Sequence, residues 1–154
     1  MKKWIPMRVV TFALFVIFLL GGAGIEGWAQ TVLLVTPEEA AGPDARAVIV
    51  EKNDGPIIVI KSPENGSTQT GPFRLYVEIM KREGGGDIDM DSLAVKYLKL
   101  VPIDITGRVR DYITGSKMDV PDAEFPEGSH RAEILVRDTA GNESSKLFSV
   151  TVAK

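Results

Sequence analysis

The 154-residue sequence contains no cysteine. This absence excludes a disulfide framework, a thiolate zinc site and a cysteine nucleophile. It does not exclude export, because a β-sandwich of about 100 residues buries enough apolar surface to fold without covalent links. The N-terminal apolar run is also followed by no cysteine, which excludes the lipid anchor of a bacterial lipoprotein.

Histidine is almost as scarce, since His130 is the only one. It follows Ser129, and acidic residues are plentiful, so the residue types of a hydrolase triad are present. However, the sequence has no G-x-S-x-G turn, and adjacent residues of a strand point to opposite faces. We therefore predict that His130 packs at the start of a strand, that the chain is not an enzyme and that it has no cofactor.

Tryptophan occurs only at Trp4 and Trp28. Carbohydrate-binding sandwiches usually stack sugars on exposed aromatic rings, and few rings remain for that purpose in the rest of the chain. Alternation along the strands places Phe73, Tyr97 and Phe148 in the core. Tyr76 and Tyr112 are left as candidates for an exposed platform.

Strongly apolar sequence is confined to the N-terminus. A run from Val9 to Leu20 follows Lys2, Lys3 and Arg8 and precedes small residues, which is the order of a secretory signal peptide. The run is shorter than the roughly 20 residues of a transmembrane helix. Gly27 and Ala29 suit cleavage before Gln30, so we predict a signal peptide at residues 1–29 and a periplasmic or secreted protein. An uncleaved anchor is the alternative.

The balance of charge is acidic, with a formal net charge of −3. Removing residues 1–29 takes away three of the 18 basic and one of the 21 acidic residues, which leaves a net charge of −5. Nucleic-acid binding needs clustered Lys and Arg to meet the phosphates. The composition therefore argues against a nucleic-acid partner and favours another envelope or extracellular protein.

Two patterns divide the predicted mature chain. Residues 30–54 read as an N-terminal leader, in which Thr36, Pro37 and Glu39 have the spacing of a helix start with a capping box. The turn sequence Asn53–Pro56 marks a boundary. Residues 55–154 then form the main domain.

Period-two alternation dominates the main domain. It runs through 73–80, 93–98, 131–137 and 148–152, with apolar residues on one face. Asp138–Asn142 has the composition of a hairpin loop in which Gly141 takes a positive φ. A helical turn is expected within Thr106–Ile113, with Asp104 or Thr106 as its cap and Gly115 at its end. Short strands with regular turn signals predict an all-β antiparallel sandwich.

Three stretches resemble the bacterial immunoglobulin-like domains of exported and surface proteins, a family of unknown function. They are Ile60–Gly66, Gly86–Leu93, and Pro126–His130 with Val136–Asn142. The resemblance covers about 100 residues and implies an immunoglobulin-like sandwich that acts as a spacer or adhesive module. The segment Tyr97–Ile113 departs from a plain sandwich connection.

Asp87, Asp89 and Asp91 alternate in what reads as a glycine-flanked loop. Carboxylates at this spacing suit calcium, but Ser92 and Leu98 occupy the glycine and glutamate positions of an EF-hand loop. A solvated turn explains them better, and we predict no metal site.

A second acidic stretch is formed by Asp119, Asp122, Glu124 and Glu127. Pro121 and Pro126 lie among these acids, so we interpret the stretch as a solvated, extended loop. It is expected to pair at the surface with basic residues from Arg108, Arg110, Arg131 and Arg137.

These observations favour an exported, non-enzymatic interaction or structural module. A small carbohydrate-binding or calcium-dependent adhesive module is the alternative. Exposed Tyr76 and Tyr112 on one face would favour sugar, and convergent Asp87, Asp89 and Asp91 would favour calcium.

Overall fold

The computed structural model describes residues 30–45 and 49–154. The predicted signal peptide at residues 1–29 lies outside the described residues. Ten strands of the described part form two five-stranded sheets that pack face to face. The prediction of an all-β sandwich is confirmed.

The first sheet has the order β1-β8-β4-β2, and β7 also pairs with β8. Its strands are β1 (Val32–Leu33), β2 (Ile57–Ser62), β4 (Phe73–Met80), β7 (Ile113–Thr114) and β8 (Lys117–Glu124). The second sheet has the order β3-β10-β9-β5-β6. It contains β3 (Thr68–Thr70), β5 (Ile88–Tyr97), β6 (Ile103–Asp104), β9 (Gly128–Asp138) and β10 (Glu143–Ala153). Most pairs are antiparallel, while β1–β8 and β3–β10 are short parallel pairs.

Alternation explains the core. Phe73, Leu75, Val77 and Ile79 of β4 are buried, and the residues between them are exposed or half-buried. The same period places apolar side chains of β9 and β10 inside, with Phe148 among them. The burial predicted for Phe73, Tyr97 and Phe148 is confirmed.

Two short helical segments lie between strands, the first between β1 and β2 and the second between β6 and β7. Helix α1 (Pro37–Ala41) begins with the predicted capping box, in which the Thr36 hydroxyl accepts a hydrogen bond from Glu39 N and the Glu39 carboxylate accepts one from Thr36 N. The turn expected within Thr106–Ile113 is α2 (Thr106–Val109) followed by a 3-10 helix at Arg110–Tyr112. The Asp104 carboxylate accepts a hydrogen bond from Thr106 N. Gly115 lies instead in the turn between β7 and β8, with φ of 58°.

The predicted leader packs into the sandwich. Val32 and Leu33 extend the first sheet beside β8, and the next two residues, Leu34 and Val35, are fully buried in the core. The structure therefore adds residues 32–35 to the unit that the sequence pattern placed at 55–154. The acidic stretch predicted as a loop needs a similar correction, because Asp119, Asp122 and Glu124 belong to β8.

No helix of residues 30–45 and 49–154 is both long and apolar enough to cross a membrane.

Candidate functional site

His130 lies in the core as the third residue of β9, at 3% exposure. Its Nε2 lies 2.7 Å from the carbonyl oxygen of Pro126, and its Nδ1 lies 2.9 Å from the hydroxyl of Tyr97. A carbonyl only accepts, so Nε2 donates and, in the neutral ring, Nδ1 accepts from Tyr97. Burial lowers the pKa of His130 and favours this neutral form. The prediction that His130 packs at the start of a strand is confirmed. The hydroxyl of its neighbour Ser129 lies beside the hydroxyl of Thr151.

Lys99 is the other buried basic residue next to Tyr97. Its ammonium lies 5.3 Å from the centre of the Tyr97 ring and donates to the carbonyl of Ala40 and to the carboxylate of Asp44, each at 2.7 Å. Burial is the largest single effect and opposes the charge of Lys99, but the interactions with Asp44 and Tyr97 together outweigh it and raise the pKa of Lys99. The hydrogen bond from Lys99 lowers the pKa of Asp44. Lys99 thus ties the end of α1 to the sandwich.

The backbone reinforces this junction. Asp44 and Lys99 form an antiparallel bridge, and Leu100 N donates to the carbonyl of Pro43 at 2.8 Å. Among the described residues, every buried side-chain nitrogen and oxygen has a hydrogen-bond partner. The position of the chain at residues 99 and 100 is therefore fixed by several bonds at once.

The fixed segment presents apolar side chains to solvent. Leu100 is 63% exposed and Val101 is 75% exposed. They border a groove of about 330 Å³ between α1 and the residues before β6. The groove is lined by Glu38, Glu39, Gly42, Pro43, Lys99, Leu100, Val101 and Ile103. We call this surface the Leu100 groove.

Arg108 binds Glu39, one of the residues that line the Leu100 groove. Its guanidinium forms two hydrogen bonds with the Glu39 carboxylate, at 2.6 and 2.7 Å, and donates to the carbonyl of Leu34 at 2.7 Å. The hydrogen bonds from Arg108 outweigh the opposing effect of burial and lower the pKa of Glu39 to about 2. Both carboxylate oxygens of Glu39 are therefore engaged on the sandwich side of α1.

The pairing predicted for the basic residues was wrong in its partners. Arg108 bonds Glu39, and Arg137 pairs with Glu143 at 2.8 Å. Asp119, from the acidic stretch, pairs with Arg74 through two bonds of 2.7 Å. Each of these partners is distant in sequence or on a neighbouring strand, so composition alone did not indicate them.

Asp87, Asp89 and Asp91 do not converge. Asp87 pairs with Lys81 at 2.7 Å, which lowers the pKa of Asp87. Asp89 and Asp91 lie on β5, not in a loop, and Asp89 accepts a hydrogen bond from Asp91 N. Within the part of the chain that the structure describes, no three acidic or histidine side chains are grouped closely enough to hold a metal ion.

The two candidate tyrosines do not form an exposed platform. Tyr76 is half-buried, with the guanidinium of Arg74 over its ring at 4.8 Å and its hydroxyl bonded to Glu78. Tyr112 is partly buried and packs against the core. Both candidates for an exposed platform are thus partly covered by neighbouring side chains.

Sequence reasoning missed the Leu100 groove. Its residues 99–103 lie within Tyr97–Ile113, the segment that departs from a plain sandwich connection, and that departure was the available signal. The bridge between Asp44 and Lys99 joins residues 55 positions apart. No local pattern could indicate it.

Comparison with known protein families finds no family model that matches the chain. One curated protein, the cytosolic Fe-S cluster assembly factor cfd1 of Aspergillus clavatus, is 30% identical over 113 residues. The match covers 72% of this chain and 35% of that protein. The chain thus spans about a third of the relative's length.

Solved structures similar to the sandwich include the copper resistance protein PcoC of Escherichia coli, with a TM-score of 0.44 and 12% identity over 64% of this chain and 99% of that one. CopC of Methylosinus trichosporium has a TM-score of 0.42 and 13% identity, covering 63% and 92%. An endo-β-1,4-mannanase of Thermotoga petrophila has a TM-score of 0.43 and 10% identity, covering 71% of this chain and 21% of the enzyme. Similarity of this degree assigns no function to the chain.

Proposed function

We propose that this chain is an exported, non-enzymatic module that binds another protein through the Leu100 groove. The observation that carries the proposal is the exposure of Leu100 and Val101 beside a groove with an apolar lining. Contiguous apolar surface in contact with water marks interaction sites more often than scattered single residues do. Burying two such side chains in a partner supplies several kcal/mol, at about 1.5–3 kcal/mol each.

Rigidity supports the same function. Leu100 N is bonded to Pro43, and Lys99 is anchored by Ala40 and Asp44. A surface that is ordered before binding loses little conformational entropy on association. Glu38, at the rim, is exposed and favours a partner that carries a basic residue beside its apolar side chains.

The strand order supports the proposed immunoglobulin-like character. The run β2-β4-β8 corresponds to strands A-B-E of the immunoglobulin sandwich, and β5-β9-β10 corresponds to C-F-G. A role in Fe–S cluster assembly, suggested by the name of the curated relative, finds no support in the residues, because iron–sulfur clusters are typically held by cysteine thiolates and the chain has none. Export rests on the pattern of residues 1–29.

A photo-crosslinking residue in place of Val101 tests the proposal in the native host. It should trap one protein, and the same residue in place of Val50 should not, because Val50 is 80% exposed but does not line the groove. The trapped protein is then purified and titrated against the chain.

The titration tests whether the trapped protein binds at the Leu100 groove. We expect Leu100→Ser with Val101→Ser to weaken binding at least about tenfold, since the loss of two apolar contacts exceeds 1.4 kcal/mol. Val50→Ser should bind like the wild type. Equal affinity of all three proteins would contradict a site at the groove.

A further inference from the structure

The edge of the second sheet along β10 is closed by local bonds. Beside β10, the carbonyl of Lys52 accepts from Ser145 N at 2.9 Å, and the carboxylate of Glu51 accepts from Leu147 N at 2.8 Å. The side chain of Asn65 accepts from Ser149 N at 2.7 Å. These acceptors take the place of a neighbouring strand, so β10 offers little backbone for strand addition.

Strand β5 is closed in a similar way at Val95–Tyr97 only. Strand β6 pairs with its C-terminal end, and the Thr106 hydroxyl accepts from Val95 N at 2.9 Å. Ile105 N donates to the carbonyl of Val95, also at 2.9 Å. In the first sheet, β1 and β7 cover the two ends of β8.

The open part of β5, Ile88–Ala94, carries Asp89 and Asp91, whereas strand β2 is largely apolar and open along its whole length within residues 30–45 and 49–154. Within these residues its backbone pairs with β4 alone, so one side of Ile57–Ser62 has no strand beside it. A cleft of about 410 Å³ lies beside Ile57 and Ile58, and its other walls are Glu51–Asn53 and Ser144–Lys146. Four β-branched apolar residues followed by Lys61 make this edge prone to pairing.

We propose that the open edge of β2 binds the β2 edge of a second copy of this chain, as an antiparallel pair with Val59 opposite Val59. In an antiparallel pair, residues directly opposite each other lie on the same face. A two-fold pair of β2 strands can therefore be centred only on a residue. Centring on Val59 keeps Ile57–Lys61 paired and places the irregularity between Ile60 and Ser62 at the end of that segment.

The side chains of two β2 edges are complementary in this register. In this register Ile58 lies opposite Ile60, and the Lys61 stem lies over Ile57 of the other copy. Pro56 and Pro63 flank the paired segment and have no N–H to donate, which confines the pairing to β2. A two-fold interface of this kind uses the same edge in both subunits and closes it, which stops further addition. The inference does not depend on the proposed function of the Leu100 groove.

Charge exchange at position 59 tests the register. We expect the purified chain to sediment as a monomer–dimer equilibrium. Val59→Lys and Val59→Glu should each weaken dimerisation at least about tenfold, because like charges then oppose each other across the two-fold axis. An equimolar mixture of the two variants should form a mixed dimer, since Lys then lies opposite Glu.

Leu33→Lys is the matched control, because Leu33 is exposed at the opposite edge of the same sheet. It should leave the equilibrium unchanged, and thermal unfolding should show that all variants are folded. A wild-type chain that stays monomeric at every concentration would overturn the proposal. A dimer that survives both single variants and gains nothing on mixing would also overturn it, as would capture of the β2 edge by a different protein in preference to a second copy.

Discussion

At the scale of single residues, the loop Asp138–Asn142 shows how one carboxylate organises a turn. The Asp138 carboxylate accepts hydrogen bonds from Gly86 N, Ala140 N, Asn142 N and the Asn142 side chain, at 2.9 to 3.1 Å. The bond from the Asn142 side chain is the main cause of the lowered pKa of Asp138. This cluster fixes the hairpin between β9 and β10 and ties it to the start of β5.

Gly141 completes that turn with φ of 88°. An added β-carbon would meet no atom within 4 Å, so the cost of a side chain comes from the backbone conformation alone. We expect Gly141→Val to lower the free energy of unfolding by about 1–3 kcal/mol in urea titrations. Gly107→Val is the control, because Gly107 also has open space but lies in α2 without a positive φ. Equal stability of the two variants would contradict the strain argument.

At the scale of elements, α1 depends on the ion pair between Glu39 and Arg108. The pKa of Glu39 falls from 4.5 to about 2 on folding, so the pair stabilises the protein above pH 4.5 and loses its effect as the pH falls through about 2. We expect Glu39→Gln to be less stable than the wild type by about 1–3 kcal/mol at pH 7. The full shift would give more, but both side chains are partly exposed and solvent screens the pair.

Glutamine keeps the capping function of Glu39, so this comparison isolates the ion pair. The difference between the two proteins should shrink between pH 4.5 and 2, as followed by thermal unfolding across that range. A difference that stays constant with pH would show that the carboxylate charge is not its source.

The elements that the sequence predicted are those whose signals are local. Alternation identified β4, β9 and β10, and the spacing of Thr36 and Glu39 identified the start of α1. The Leu100 groove depends on Lys99, whose partners Ala40 and Asp44 are more than 50 positions away. Such contacts follow from the packing of distant segments, and no period or spacing in the sequence encodes them.

At the scale of the molecule, the first strand shows that the sandwich begins before the predicted boundary. Val32 and Leu33 pair in parallel with Ala123 and Glu124, and Leu34 N donates to the carbonyl of Glu124 at 3.0 Å. Parallel pairing of segments so far apart cannot arise from a local turn. The N-terminal segment must therefore close onto β8 as the whole domain folds.

Leu34 is fully buried in the core, whereas its neighbour Leu33 is 46% exposed. If residues 32–35 are part of the folding unit, Leu34→Ala should lower the free energy of unfolding by about 2–5 kcal/mol, because the lost side chain leaves a cavity. Leu33→Ala should change it by only about 0.5 kcal/mol or less. Chemical denaturation of both variants measures the contrast. A Leu34→Ala effect as small as that of Leu33→Ala would mean that residues 32–35 add nothing to the sandwich. A large effect with a single cooperative transition would extend the folding unit of residues 55–154 to include this strand.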